Sequence, residues 1–291
     1  MTEVAELDGG LAQSGRASNY AEAVETYLSG IIAAHRAAHD ELPRSLDEAV
    51  RVAEAAPAPR GFRAALERSA EHGLALIAEV KRRSPSLGAL VPSLDPAVLS
   101  SAYAAGGAAC CSVLTDEVFF GGSAEDLSIV RHSVDLPLLR KDFTVDPIDV
   151  ADARAMGADA VLLIAAVLGD AELAACLELS RHLGLDALVE VHDERELERA
   201  LNLGADLVGV NQRDLVTFAV DQERALRLAA SMPSSVFAVA ESGIRGPRDA
   251  AALAAAGFSA ILVGELLVKS ANPEALASTL VGYDINRGNR A

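Results

Sequence analysis

From residue 74 onward, short apolar, β-branched runs alternate with amphipathic helical segments, and this alternation constrains the fold more than any other feature. The runs fall at 74–81, 110–115, 137–142, 160–166, 187–192, 207–211, 236–241 and 260–264. Such runs suit strands buried on both faces, and helices between them make parallel βαβ units. The punctuation repeats too. Helical segments stop at Gly-Gly-Ala (106–108), Gly-Ala-Asp (157–159 and 204–206) and Gly-Phe-Ser (257–259), where a glycine can take the left-handed stop position. They start at Asp95-Pro96 and Asp146-Pro147, an N-cap followed by proline, and at Asp193 with Glu196, a capping-box spacing.

Eight such units fit a (β/α)8 TIM barrel of about 250 residues, with extra N-terminal helices left over. A doubly wound open sheet is the competing architecture. It needs fewer strands and a glycine-rich loop after the first, and SPSLG (84–88) is not GxGxxG. Ahead of the repeat, residues 1–20 are polar and Gly-rich and are expected to be a mobile tail. Helices are expected at 21–39 (Val24, Leu28, Ile31 and Ile32 on one face), at 45–55 behind Ser45 as N-cap, and at 61–69, with APAP (56–59) as a breaker. The expected organisation is one barrel domain over 21–285, including a helical extension at 21–70, and a short tail at 286–291.

Composition narrows the function. Hydrophobic residues make up 51% of the chain, enough for one large core, which excludes a disordered or fibrous protein. A net charge of −17 argues against a general nucleic-acid binder, while still allowing a pocket that gathers a few cations around a small anion. Cys110, Cys111 and Cys176 share no metal-ligand spacing with any histidine and read as buried thiols of a reducing compartment. The N-terminus has no signal-peptide pattern, and the longest apolar run (160–168) is too short to span a bilayer. The expectation is a cytoplasmic protein, a monomer because no long exposed apolar helix face stands out, with no metal, nucleic-acid or membrane partner.

Barrels carry their active sites at the C-terminal strand ends. In this chain those ends read Glu79 and Lys81, Lys141 and Asp142, Glu190, Asn211 and Arg213, Glu241 and Ser242, and Gly264. Glu79 and Lys81 leave their strand on one face, as a working pair or as a plain salt bridge at the mouth. Glu190 sits between Val189 and Val191, so its carboxylate must point into the barrel, where it needs a partner. Lysines and glutamates converging on one mouth can act as acid and base. After the last two strands, Ser242-Gly243 and Gly264-Glu265 offer backbone N–H groups to a phosphate, although Gly243 also suits an ordinary turn. Beside a dianion the Glu265 carboxylate must turn away. Phe119, Phe120 and Phe143 can wall an aromatic pocket or pack in the core. His35, His39, His132 and His182 fall on helices and His72 in a turn; His192 follows Glu190 by two residues, as a rim group.

These blocks resemble a known family. LIAEVKRRSPSLG (76–88), LTDEVFFGGSAEDL (114–127), LPLLRKDFTVDP (136–147), ALVEVHDERELERA (187–200), GVNQRDLVTFAVD (209–221), AESGIRGP (240–247) and ILVGELLVKS (261–270) are similar, in order, to those of the indole-3-glycerol phosphate synthases. The resemblance implies a carboxy-lyase of tryptophan biosynthesis that needs no cofactor and acts on a phosphosugar–anthranilate substrate. It implies Lys141 as general acid, Glu190 as general base, and Lys81, held by Glu79, as an anion binder and second proton donor. Which lysine serves which step stays open. Asn211, Arg213 and Ser84 would position hydroxyl and carboxylate groups, and Phe120, Phe143 and Leu215 would pack around the ring. Ser242, Gly243, Gly264 and Glu265 would hold the phosphate. Gln212, Leu266 and Val268 depart from the family pattern, and residues 21–60 are its least typical stretch. A phosphosugar aldolase or isomerase on the same barrel, and a duplicated copy kept as a scaffold, are the competing functions.

Overall fold

The computed structural model describes residues 14–41, 44–84, 88–91, 93–214 and 218–286, with side chains from Leu28 onward. Three helices lead: α1 (Ser14–Glu41), α2 (Leu46–Ala55) and α3 (Phe62–Ala70). The repeat follows as β1 (Ala75–Val80), α4 (Pro96–Ala105), β4 (Cys110–Leu114), α5 (Ala124–Ser133), β5 (Leu138–Lys141), α6 (Pro147–Ala155), β6 (Ala160–Ile164) and α7 (Asp170–His182). It continues through β7 (Asp186–Val191), α8 (Glu194–Asn202), β8 (Leu207–Asn211), α9 (Glu223–Ala229), β9 (Phe237–Glu241), α10 (Pro247–Ala255) and β10 (Ala260–Val263), and ends in α11 (Glu265–Val268) and α12 (Pro273–Ser278). Two short strands, β2 (Arg83–Ser84) and β3 (Gly88–Ala89), form an antiparallel pair in the loop after β1, which the apolar pattern did not signal.

All eight long strands are parallel and close in sequence order, β10 pairing with β1. The chain is therefore a (β/α)8 barrel with a helical N-terminal extension. Side-chain parity explains what lies inside. Ala75 and Ile77, Leu139, Leu188, Leu207, Phe237 and Val239, and Ala260 and Leu262 pack in the inner cluster, with Phe62 and Leu66 of α3. Their neighbours Leu76, Leu138, Val189, Val208, Ala238 and Ile261 pack outward against the helices. Counting on by twos puts Glu79, Lys141, Glu190, Asn211 and Glu241 on the inward face as each strand reaches its C-terminal end.

The local signals are used, with four changes. Asp95 and Asp146 cap α4 and α6 through their side chains, and Gly107, Gly157, Gly204 and Gly257 all carry positive φ. α1 begins at Ser14, so residues 14–20, expected in the tail, are helical; residues 1–13 lie outside the described residues. At the other end, Asn286 donates its N–H to the Ala254 carbonyl (3.0 Å), and 287–291 lie outside. Ser45 holds the N-cap position of α2 without a side-chain bond to the helix. Asp193 accepts from Glu196 N (2.8 Å), but Glu196 completes no capping box. Its Oε2 turns instead to the His192 N–H (2.8 Å) and ring Nδ1 (3.1 Å).

Candidate active site

The inward strand ends open on a cavity of about 770 Å³ at the C-terminal face. Glu79, Lys81, Lys141, Glu190 and Asn211 line it, with Ser84, Phe120, Phe143 and Arg213 around its wall and Ser242, Gly243, Gly264 and Glu265 on the β9–β10 side. Every described residue that the resemblance assigns to the site lines this one space, whereas Phe119, also considered for its wall, packs against the inner core cluster, and His192 is not part of the lining. Leu215 lies outside the described residues.

At the centre, Lys141 Nζ donates to Glu190 Oε2 and to Glu241 Oε2, each at 2.9 Å. Asn211 Nδ2 donates to Glu190 Oε1 (3.0 Å), and the Asn211 Oδ1 accepts the Arg213 N–H (3.0 Å). Lys81 Nζ pairs with Glu79 Oε1 at 2.6 Å. Three buried carboxylates thus face two ammonium groups, and one negative charge is left over. Burial and the neighbouring carboxylates outweigh the pull of Lys141 and raise Glu241 to about 7. Glu190 is held down to about 2: burial opposes this, but Lys141, His192 and the Asn211 amide overcome it. Burial favours the neutral amine of Lys141, yet Glu190 and Glu241 dominate and hold it charged well above the usual lysine value. The pair of glutamates is therefore split into an ionised member and one that readily carries a proton, the arrangement from which acid and base roles arise. A Schiff-base aldolase needs the opposite, a neutral nucleophilic lysine.

Glu241 is the central residue that sequence reasoning left without a role. Its signal was present: it has the inward parity of Phe237 and Val239, and Gly209 on the adjacent strand leaves room for it. A Cβ on Gly209 would overlap Glu241 Oε1. Gly264 does the same service for Glu79, whose Oε1 occupies the place of a Cβ there.

On the β9–β10 side, Ser242 (φ 64) and Gly243 (φ 69) are both left-handed, an unfavourable conformation for serine. Two amide side chains hold it: Gln212 Nε2 donates to the Ser242 carbonyl (2.8 Å) and Gln222 Nε2 to the Gly243 carbonyl (2.7 Å). Gln212, a departure from the family pattern, thus braces this turn. The Glu265 carboxylate accepts from Lys269 Nζ at 2.8 Å, and both residues line the cavity. Phe120 and Phe143 stand 6.1 Å apart between ring centroids, tilted by 44°.

Two histidines of α1 do more than occupy a helix. His35 Nε2 lies 2.9 Å from Asp116 Oδ2 and 3.9 Å from Asp142 Oδ1, with its ring 5.7 Å from Phe143. His39 meets Asp149 at 3.1 Å, and Arg36 and Arg44 meet Glu172 and Asp152. The bonds to Asp116 and Asp142, which follow β4 and β5 and line the cavity, hold α1 against the C-terminal rim of the barrel, behind the pocket wall.

A closed parallel barrel with an acid–base cluster at its C-terminal mouth defines the class: a (β/α)8-barrel enzyme. The indole-3-glycerol phosphate synthase family model matches residues 28–280, and the chain belongs to that family of carboxy-lyases of tryptophan biosynthesis. The indole-3-glycerol phosphate synthase of Mycobacterium leprae (strain TN) is 50% identical over 258 residues, 88% of this chain and 94% of its own. Indole-3-glycerol phosphate synthase 2 of Streptomyces coelicolor is 52% identical over 231 residues, 79% and 88% of the two chains. Among solved structures, a 3-hexulose-6-phosphate synthase superposes with TM-score 0.56 at 15% identity, over 75% of this chain and 100% of that one. A thiamine phosphate pyrophosphorylase from Pyrococcus furiosus superposes with TM-score 0.54 at 18% identity, over 74% and 95%. These two share the fold alone. Among the described residues no helix is long and apolar enough to cross a membrane.

Proposed function

We propose that the Lys141 cluster converts 1-(2-carboxyphenylamino)-1-deoxyribulose 5-phosphate to indole-3-glycerol phosphate, carbon dioxide and water. The observation that carries the assignment is the Lys141 ammonium held between Glu190 and Glu241 at the floor of the cavity. Lys141 protonates the sugar ketone as the ring carbon bearing the carboxylate attacks it. Carbon dioxide then leaves. Glu190, ionised beside Asn211, takes the proton whose loss makes the indole ring aromatic, and the hydroxyl departs as water. Lys81, held by Glu79, binds the anionic groups and is placed to donate in this second stage. Glu241, able to carry a proton near neutrality, takes part in keeping Lys141 charged between turnovers.

Substrate positioning follows from the walls. Ser84 and Arg213 face the polar groups and Phe120, Phe143 and Leu215 the ring, while the phosphate takes the backbone N–H groups of Ser242, Gly243, Gly264 and Glu265, with Lys81. We assign residues from α1 to 285 to one domain, acting as a cytoplasmic monomer without cofactor or nucleic acid; the charge of −17 supports the last point. The test is indole fluorescence from purified protein given the substrate. Turnover that Lys141→Ala abolishes, with substrate binding retained, supports the reaction and its acid. A Lys141→Ala variant with the wild-type rate overturns the assignment.

A further inference from the structure

His192 directly follows β7, two residues past Glu190. Its ring is largely shielded, with 11% of the side chain exposed. Both of its nitrogens face carboxylates: Nδ1 is 3.1 Å from Glu196 Oε2, and Nε2 is 3.4 Å from Glu190 Oε1. Glu196 is pinned in turn by the His192 backbone N–H, at the cost of the capping box it was spaced to make. The bond to Glu196 fixes the proton of the ring on Nδ1. Nε2 has no hydrogen-bond partner in the resting arrangement. A neutral ring would therefore aim a lone pair at the Glu190 carboxylate, which is repulsive. Only a ring protonated on both nitrogens makes this contact attractive, and bonds of this kind tighten when substrate arrives.

We propose that His192, oriented by Glu196, is a positioning residue that keeps Glu190 ionised and aimed while Lys141 is spent as the acid. The inference rests on the acid and base roles proposed above. Lys141 is the cation closest to Glu190, and once it gives its proton to the ketone its charge is lost when Glu190 must act as base. The imidazolium remains, on the opposite oxygen. The charged groups that face the ring are Glu190 on β7, Glu196 on α8 and Arg224 on α9; burial and Arg224 favour the neutral ring, and the two glutamates together outweigh them. Lys141 and Asn211 act on it only through Glu190.

Two measurements test this. In the wild-type protein, nitrogen NMR of the His192 ring should show Nδ1 protonated throughout and Nε2 titrating above the ordinary histidine value. A ring that rests with its proton on Nε2 and a bare Nδ1 overturns the proposal. In kinetics, His192→Leu should lower kcat about tenfold, with KM nearly unchanged, and shift the Glu190 limb of the pH profile to higher pH. His192→Gln, which can still donate to Glu190 but does not titrate, should restore most of kcat and remove the alkaline limb. Glu196→Gln should move that limb to lower pH. Wild-type kcat and pH profiles in all three overturn the pairing. Glu190→Gln, run alongside, separates the two readings: if it is crippled while the His192 variants are unaffected, only the positioning role fails, and if it is itself active, the base assignment fails.

Discussion

Both ends of the barrel carry acidic and basic side chains, under opposite conditions. At the N-terminal end, Asp159 is fully buried and satisfied: its Oδ2 accepts from Arg131 Nη1 (2.6 Å) and Leu138 N (2.7 Å), and its Oδ1 from Arg60 N (2.6 Å). Asp186 accepts the Arg63 N–H at 2.9 Å, and Asp206 pairs with the Arg63 guanidinium. Arg60 spends its own guanidinium on the carbonyls of Arg131, Val134 and Leu136. At the C-terminal end, Glu79, Glu190 and Glu241 crowd two ammonium groups, and Glu241 Oε1 has no partner at all. The bottom closes its charges against backbone and holds the barrel shut; the top leaves one charge uncompensated and protons free to move.

That contrast is broken first by exchanging one carboxylate at each end. Glu190→Gln should lower kcat by about 10³-fold, within the range for a general base, at a smaller cost in thermal stability, because the amide oxygen can still accept from Lys141 and Glu241 remains the partner of that ammonium. Asp159→Asn should do the reverse, costing about 3 kcal/mol of stability through a broken buried ion pair while kcat per folded molecule holds. Parallel melting curves and active-site-normalised rates decide it, and equal effects at both ends would erase the distinction. Gly209→Ala sharpens the picture at the top: its new Cβ displaces the Glu241 carboxylate from Lys141, and kcat should fall about tenfold, ~1.4 kcal/mol of barrel-mouth organisation, with little change in KM.

The pH dependence follows with signs that differ between the glutamates. Glu241 is raised, so the stability it contributes is complete below its ordinary pKa and is lost as pH rises toward about 7. Glu190 is lowered to about 2, so its contribution is present above the ordinary glutamate value and is lost only as pH falls through that range. Glu241→Gln should flatten the stability profile between pH 4.5 and 7; an unchanged slope would mean that Glu241 is ionised throughout. The smallest effect is expected at the helix over the mouth. His35→Ala should raise KM about threefold, the worth of one modest hydrogen bond, at nearly constant kcat. His35 is raised, since Asp116 and Asp142 outweigh its burial, and Asp116 is lowered, since His35 and the Phe119 and Phe120 N–H groups outweigh its own. The contact is therefore strongest in mild acid and fades as pH rises through the raised histidine value, and the KM difference should shrink there.

The sequence by itself determined the barrel. Eight apolar runs, proline and aspartate starts and left-handed glycine stops are local instructions, written in residues that must be neighbours in the chain. It also determined which strand-end residues point inward, because parity along a strand carries a side-chain direction from Leu188 to Glu190 or from Leu139 to Lys141. Only the tertiary structure decided how the charges are shared. That Lys141 serves two glutamates depends on β5, β7 and β9 converging across the barrel, a distance no spacing along the chain records. The same holds for Glu196 turning from its capping box to His192, and for His35 reaching Asp116 from 81 residues away. Local geometry follows from neighbours in sequence, whereas the proton affinity of a buried group follows from every charge the fold brings within a few ångströms of it.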